Sequence, residues 1–283
     1  MEVNMLFDVF KALIFGIVEG VCEWLPISST GHLILLERIV SLEISNDAAL
    51  NSQFRTMFDV VIQLGAILAV VVIYFGRLTP TKKKNLPLLF KLILATLPAA
   101  LIGFLTDALC ESMFGEDLDA LLFTPTTVAI TLIAYGIVFI LVEHSKKPEK
   151  CAVTEITPLH AFSIGIFQAL AIIPGTSRSG ATILGARLLG INKSCATEFS
   201  FFAAVPAILG ASLLKIIEFS SFTASMNMQL PSNAYVLLIT AFICAFLVSI
   251  PIIKFLIGFL RKHSLIPFGI YRIALGIIVL LAL

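Results

Sequence analysis

Six stretches of this chain, residues 57–75, 88–105, 125–142, 199–217, 235–257 and 266–283, are apolar almost without interruption. Each approaches the roughly 20 residues that a helix needs to cross the hydrocarbon core of a bilayer. Inside lipid the backbone must satisfy its own hydrogen bonds, which a helix does within one segment, so each stretch is predicted to be a transmembrane helix. Composition agrees, with 59% hydrophobic residues, 23 Phe and only 13% charged residues, against roughly 25% charged in soluble domains. A net charge of +1 gives no bulk attraction to nucleic acid, and no nucleic-acid partner is expected. Cys22, Cys110, Cys151, Cys195 and Cys244 are scattered without metal-binding spacing and are expected to pack as small apolar residues. The first 20 residues have acidic residues early and no basic residue before Lys11, so they are read as mature protein instead of a signal peptide.

Loop charge sets the orientation. Arg77 with Lys82, Lys83 and Lys84 follows the first crossing, Lys146, Lys147 and Lys150 follow the third, and Arg261 with Lys262 follows the fifth. Residues 106–124 and 218–234 contain no Lys or Arg, and the first of these carries Asp107, Glu111, Glu116, Asp117 and Asp119. Basic loops stay in the cytoplasm, so odd crossings end inside. Both termini and the polar segment 41–54 are then placed outside.

Two apolar stretches, 7–40 and 160–189, do not fit that count as single crossings. Each is interrupted by a polar break, Leu-Pro-Ile-Ser-Ser-Thr-Gly-His in the first and Ile-Pro-Gly-Thr-Ser-Arg-Ser-Gly-Ala in the second. Re-entrant hairpins satisfy the charge pattern, since irregular backbone at membrane depth is allowed where protein or a wet cavity surrounds it. An offset of 149 residues places Gly16 on Gly165, Glu19 on Gln168, Ser28 on Ser177, Ser29 on Arg178, Thr30 on Ser179 and Gly31 on Gly180. The expected fold is an all-α polytopic membrane protein with six transmembrane helices and two re-entrant helical hairpins. It forms one integral membrane domain, residues 1–283, built as two repeats, 1–142 and 160–283. Each repeat is a hairpin plus three crossings, and an odd number of crossings inverts the second repeat, a transporter-like design.

The breaks carry the chemistry. Glu19 and Glu23 are four residues apart and share one helical face. Ionisable groups at membrane depth face a cavity or a partner, and paired carboxylates bind a cation or handle protons. Ser28, Ser29, Thr30 and Gly31 then open a new helix, where backbone N–H groups make an anion site, and His32 could help activate a hydroxyl. The plainer reading makes these hydroxyls simple N-caps. In the second break Ser177, Arg178, Ser179, Gly180 and Thr182 combine hydroxyls and glycine with a guanidinium suited to bidentate phosphate contact. The plainer reading pairs Arg178 with Glu19 or Glu23 and nothing more. Asp59 and Gln63 at the start of the first crossing, and Glu198 at the start of the fourth, read as groups that support the site from behind or, more simply, as helix-start groups favoured by the dipole. Arg272 lies in the last crossing, where an acidic partner or a lipid phosphate would accommodate it.

The segments EGVCEWLPISSTGH, FDVVIQLGAILAV, PGTSRSGAT, EFSFFAAVPAILGA and IPFGIYR resemble the bacterial undecaprenyl pyrophosphate phosphatases, also called bacitracin resistance proteins. The likeness extends over essentially the whole chain. It implies an inner-membrane enzyme that removes the terminal phosphate of undecaprenyl pyrophosphate and recycles the carrier lipid for peptidoglycan and other envelope polymers. Position by position, it implies catalytic roles for Glu19, Glu23, Ser29, His32 and Arg178, and phosphate contacts from Ser28, Thr30, Gly31, Ser177, Arg178, Ser179, Gly180 and Thr182. The variant Pro-Gly-Thr-Ser-Arg-Ser loses none of the expected residue types. No tightly bound cofactor is implied; a divalent cation, Mg or Ca, is, but no ligand set follows from the likeness, and the paired carboxylates of Glu19 and Glu23 are the candidates the residues themselves offer. The expected partners are a prenyl pyrophosphate lipid and the surrounding membrane lipids. A homodimer is compatible with the sequence, which does not fix the oligomeric state. The site is expected to open to the outer face. The competing class is a lipid-carrier flippase, because inverted repeats with broken helices often move a substrate.

Overall fold

The computed structural model describes residues 5–115, 121–145 and 152–282, and its long elements are all α-helices. In chain order these are α1 Met5–Cys22, α2 Ser29–Glu37, α3 Ala48–Ile73, α4 Leu86–Phe114, α5 Pro125–Ser145, α6 Pro158–Ala169, α7 Arg178–Leu188, α8 Lys193–Ser225, α9 Ser232–Leu260 and α10 Ile266–Ala282. Polar residues start them where the sequence has them. Asp47 accepts from the Leu50 amide at the head of α3, Thr157 from His160 at α6 and Asn192 from Cys195 at α8.

Five segments are long and apolar enough to cross a membrane: α3, α4 with its preceding turn, α5, α8 and α9. The sixth expected crossing, α10, is apolar but has 17 described residues. The protein is therefore a polytopic α-helical membrane protein. Two helices begin earlier than apolarity indicates, because capping and not hydropathy sets a helix start. α3 opens at Ala48 inside the polar segment 41–54, so Asp59 and Gln63 lie mid-helix and are not helix-start groups. α8 opens at Lys193, and Glu198 in its second turn pairs with Arg77 just beyond α3. Lys146, Lys147, Lys150, Glu116, Asp117, Asp119 and Cys151 lie outside the described residues.

Polar contacts gather particular helix ends on one side of the molecule. Lys193 Nζ lies 2.9 Å from Glu143 at the end of α5 and 2.9 Å from the His263 carbonyl after α9. Lys91 near the start of α4 donates to the Thr154 carbonyl just before α6, at 2.9 Å. With Arg77–Glu198, these join the ends of α3, α5 and α9 to the starts of α4, α6 and α8. Arg55 near the start of α3 instead pairs with Glu37 at the end of α2, 3.1 Å apart.

The two broken segments pack by exchanged partners. α1 lies along α9 and α6 lies along α4, while α5 packs on α10 and α3 on α8. Backbones approach closely through small residues. A Cβ on Gly16 would stand 2.6 Å from the Ala241 carbonyl oxygen, and one on Gly165 would stand 2.5 Å from that of Ala95. Two apolar cores result, the larger including Trp24, Phe199, Phe201 and Phe202 and the smaller Phe15, Phe54 and Phe58.

Because the atoms nearest a Cβ on Gly165 are the Ala95 backbone and the Pro98 ring, which do not yield as a flexible side chain would, Gly165→Val is expected to destabilise the solubilised protein by about 1–3 kcal/mol. Gly258 has open space around it, and Gly258→Ala is expected to stay within about 1 kcal/mol of wild type. Thermal unfolding in detergent checks both.

Candidate active site

Both breaks are built the same way despite their different residues. Ser28 and Ser177, 149 positions apart, hold φ of 77° and 72°, values that L side chains rarely adopt and that persist only where surroundings enforce them. Each caps the helix that follows. Ser28 Oγ accepts from the Gly31 amide at 3.2 Å and Ser177 Oγ from the Gly180 amide at 3.1 Å. The plain N-cap reading is therefore correct for Ser28 as far as it goes, Ser177 repeats it in the second break, and the Gly31 and Gly180 amides are both occupied. Gly175 sits at φ +87°, and Pro174 just before it accepts from Thr131 Oγ1 of α5 at 2.6 Å.

The breaks meet at Glu23, one residue past the end of α1 and 6% exposed. Ser29 Oγ donates to Glu23 Oε2 at 2.7 Å. Arg178 donates to Oε1 through Nη2 at 2.9 Å and Nε at 3.3 Å, while its Nη1 reaches the Ser200 carbonyl at 3.0 Å. The serine comes from the first half of the chain and the arginine from the second. Ser179 Oγ reaches across as well, to the Glu23 and Leu25 carbonyls at 3.2 and 3.4 Å. Glu19, one turn earlier, is fully buried, and neither of its carboxylate oxygens has a hydrogen-bond partner among the described residues.

A cavity of about 250 Å³ opens onto this cluster. Glu23, Ser28, Ser29, Thr30, Ser177, Arg178, Gln63 and Gln168 give it a polar end. Ile172, Ile173, Ala207, Ile208 and Ala211 give it an apolar wall between the second break and α8.

Four of the expected phosphate contacts face elsewhere. Gly31 and Gly180 serve the serine caps, and Ser179 stitches one break to the other. Thr182 Oγ1 donates to the Arg178 carbonyl at 2.9 Å and lies 2.6 Å from Ser200 Oγ, which makes it a brace behind Arg178. His32 is turned away from Ser29. Its Nδ1 lies 2.7 Å from the Ser28 carbonyl, which can only accept, and in a neutral ring Nε2 then accepts from Tyr271 Oη at 2.7 Å. Arg272 has no acidic partner among the described residues. It is fully buried and donates to the carbonyls of Pro26, Gly175 and Thr176. Gln63 and Gln168 were legible as polar residues in apolar runs, and their place in the cavity follows from the helix packing.

A family model described as bacitracin resistance protein BacA matches residues 12–278. The chain belongs to this family. Among its relatives are proteins named undecaprenyl-diphosphatase from Streptococcus mutans, 47% identical over 98% of this chain and 96% of the relative, and from Enterococcus faecalis, 46% identical over 98% of each. The undecaprenyl-diphosphatase of Acetivibrio thermocellus is 45% identical, again over 98% of each chain. Coverage at that level leaves neither break, nor any helix that supports one, outside the family likeness.

Thr182→Val would keep the shape of the brace and leave Ser200 Oγ without its closest partner. Buried hydroxyls left unpaired cost about 1–3 kcal/mol, so a loss of that size in unfolding free energy is expected by thermal or denaturant unfolding.

Proposed function

We propose that this protein hydrolyses undecaprenyl diphosphate to undecaprenyl phosphate and inorganic phosphate. The observation that carries the reading is the convergence of Ser29 and Arg178, from opposite halves of the chain, on the single carboxylate of Glu23. Membership of the family and the names of the relatives supply the substrate. The product returns to the carrier pool used for peptidoglycan and other envelope polymers, an activity consistent with bacitracin resistance.

Ser29 is the nucleophile in this reading. Its hydroxyl proton passes to Glu23 Oε2, the Oγ–P bond forms at the terminal phosphorus, and the bond to the bridging oxygen breaks with departure of the lipid monophosphate. Water then cleaves the phosphoserine, releasing inorganic phosphate and regenerating the hydroxyl. Phosphoryl transfer depends mostly on placement and on charge stabilisation, and Arg178 supplies the latter. In the structure its fork rests on Glu23 and the Ser200 carbonyl. The incoming diphosphate competes for that fork, and each N–H that leaves Glu23 makes the carboxylate a better proton acceptor for Ser29. Thr30 and Ser177, on the cavity wall, complete the oxygen contacts. His32 acts indirectly, by holding the Ser28 carbonyl.

A divalent cation that entered with the diphosphate would meet Glu23 on the cavity wall, with Glu19 buried one turn behind it. Glu19 offers two buried oxygens with no partner among the described residues, and Glu23 lies one turn away. No group of three or more His, Cys, Asp or Glu side chains that could hold a metal alone occurs among the described residues. Mg-type sites commonly use one or two carboxylates plus substrate phosphates. Such an ion would neutralise phosphate charge.

The prenyl chain follows the apolar wall formed by Ile172, Ile173, Ala207, Ile208 and Ala211 toward the lipid. Each broken segment is a re-entrant hairpin, and the halves of the chain form an inverted repeat. Support comes from Lys91–Thr154 and Lys193–Glu143 taken with Arg77–Glu198, which tie the entry to α6 and the exit from α7 to the adjoining ends of α4 and α3. It comes also from the pairings of Gly16 with Ala241 and of Gly20 with Ala245, which run α1 parallel to α9, opposite in sense to α6. With the basic side in the cytoplasm, the first hairpin enters from outside and the diphosphate from the outer face of the plasma membrane.

Phosphate release by purified protein in detergent, where no gradient exists, tests the enzyme against a transporter. Ser29→Ala is expected to lower kcat at least about 1000-fold, as removal of a nucleophile does. Arg178→Lys is expected to lower kcat/KM about 10–100-fold, because an ammonium cannot reproduce the planar fork. Wild-type turnover by Ser29→Ala would rule out the nucleophile role.

A further inference from the structure

We propose that Arg272, assisted by its neighbour Tyr271, is a positioning residue that holds the two breaks in fixed relation for phosphoryl transfer. The inference rests on the phosphatase reading above. Nη1 donates to the Pro26 carbonyl at 3.1 Å, and Nη2 donates to the carbonyls of Gly175 at 2.7 Å and Thr176 at 3.0 Å. One guanidinium thus joins residues 149 or more positions apart in sequence, one set from each break. Its side chain does not line the cavity, so it acts on the site through backbone and not through substrate.

The need for such a group follows from the breaks themselves. A chain that leaves the helical path inside an apolar surrounding strands carbonyls with no amide to meet them. Neutral donors could satisfy these carbonyls singly. A planar fork satisfies three at once and fixes the separation of the two segments that carry them. The position is otherwise a poor one for a cation. Arg272 is fully buried and no carboxylate among the described residues pairs with it, an arrangement that is expensive unless other groups compensate. The faces of Tyr135 and Phe139, 5.5 and 5.7 Å from the guanidinium carbon, supply part of that compensation.

The bonded carbonyls flank the strained serines. Thr176 immediately precedes Ser177, and Pro26 lies two residues before Ser28. Tyr271 adds a third strut, since it bonds His32, which bonds the Ser28 carbonyl. Positive-φ serines stay in place only where neighbours over-determine them, and α10 supplies that constraint to both. Ser29 and Arg178 are the next residue after each strained serine. Their meeting at Glu23 therefore depends on the Tyr271–Arg272 pair.

Steady-state kinetics of purified Arg272→Lys, Arg272→Gln and Tyr271→Phe in detergent, with a prenyl diphosphate as substrate and thermal unfolding in parallel, test the proposal. Misplaced reacting groups lose transition-state stabilisation while substrate binding persists. Arg272→Gln is therefore expected to lower kcat about 100-fold with KM within about threefold, and Arg272→Lys to recover about tenfold of that loss. Tyr271→Phe is expected to lower kcat about threefold to tenfold. A folded Arg272→Gln protein with kcat near wild type overturns the proposal, and so does a raised KM at unchanged kcat, which would mark a substrate contact. If the Arg272 variants do not survive purification, Phe139→Leu decides. It keeps the guanidinium and removes one flanking ring, and a kcat equal to wild type would count against positioning. A silent wild type overturns the phosphatase reading instead, so the two failures are distinguishable.

Discussion

The carboxylate of Glu23 is the point on which the two halves of the chain depend. It receives the Ser29 hydroxyl on one oxygen and the Arg178 guanidinium on the other, and its own carbonyl receives Ser179. In an apolar surrounding each of these partners needs the others. An unpaired Glu23 or Arg178 would carry an uncompensated charge, which costs several times more than a lost neutral hydrogen bond. In the reading proposed above, Glu23 balances the Arg178 guanidinium until a diphosphate takes its place. The reading of Arg178 as merely a partner for a glutamate and the reading of it as a phosphate ligand describe two occupancies of the same fork.

The internal repeat explains how such a cluster can be assembled from a single chain. Ser28 and Ser177 share backbone angles, caps and glycine partners, yet the residues that follow them, Ser29 and Arg178, have different chemistry. Gln168 stands where the first half has Glu19, and it donates to the Ala95 carbonyl at 3.2 Å. The scaffold is duplicated and the chemistry is divided. Glu23 and Ser29 lie in one copy and Arg178 in the other, so neither break makes the cluster alone.

Much of this was legible in the sequence. The apolar runs, the polar breaks and the 149-residue offset each have a direct counterpart in the helices, the strained serines and their matching caps. Residue type also announced the Glu23–Arg178 encounter, because charges inside apolar segments must find partners. Direction was not legible. Thr182, Ser179 and His32 belong to the right motifs, but a backbone that leaves Ser28 or Ser177 at positive φ re-aims the helix that follows, and spacing cannot say which face then meets the cavity. Helix starts were misjudged wherever a cap lay outside the apolar run, as at Asp47 and Asn192. Arg272 had a usable signal, a lone cation in an apolar helix of 17 residues. Its partners are carbonyls 246, 97 and 96 positions away, and no property of a carbonyl is written in the residue that carries it.

The site combines a rigid backbone with an exchangeable contact, and the division between them follows from the kind of acceptor. Arg272, Ser179, Thr131 and Thr182 all bond main-chain carbonyls, acceptors that a diphosphate does not replace. The Arg178 fork on Glu23 joins two side chains at the cavity wall, and in the proposed reaction phosphate oxygens would offer the guanidinium negatively charged, bidentate acceptors in place of the carboxylate. Substrate can thus open the ion pair without loosening the frame that holds Ser29 against Glu23. Bonds to carbonyls hold the strained, buried breaks, and the Arg178 bond to the Glu23 carboxylate is the contact that, in the proposed reaction, a phosphate would replace.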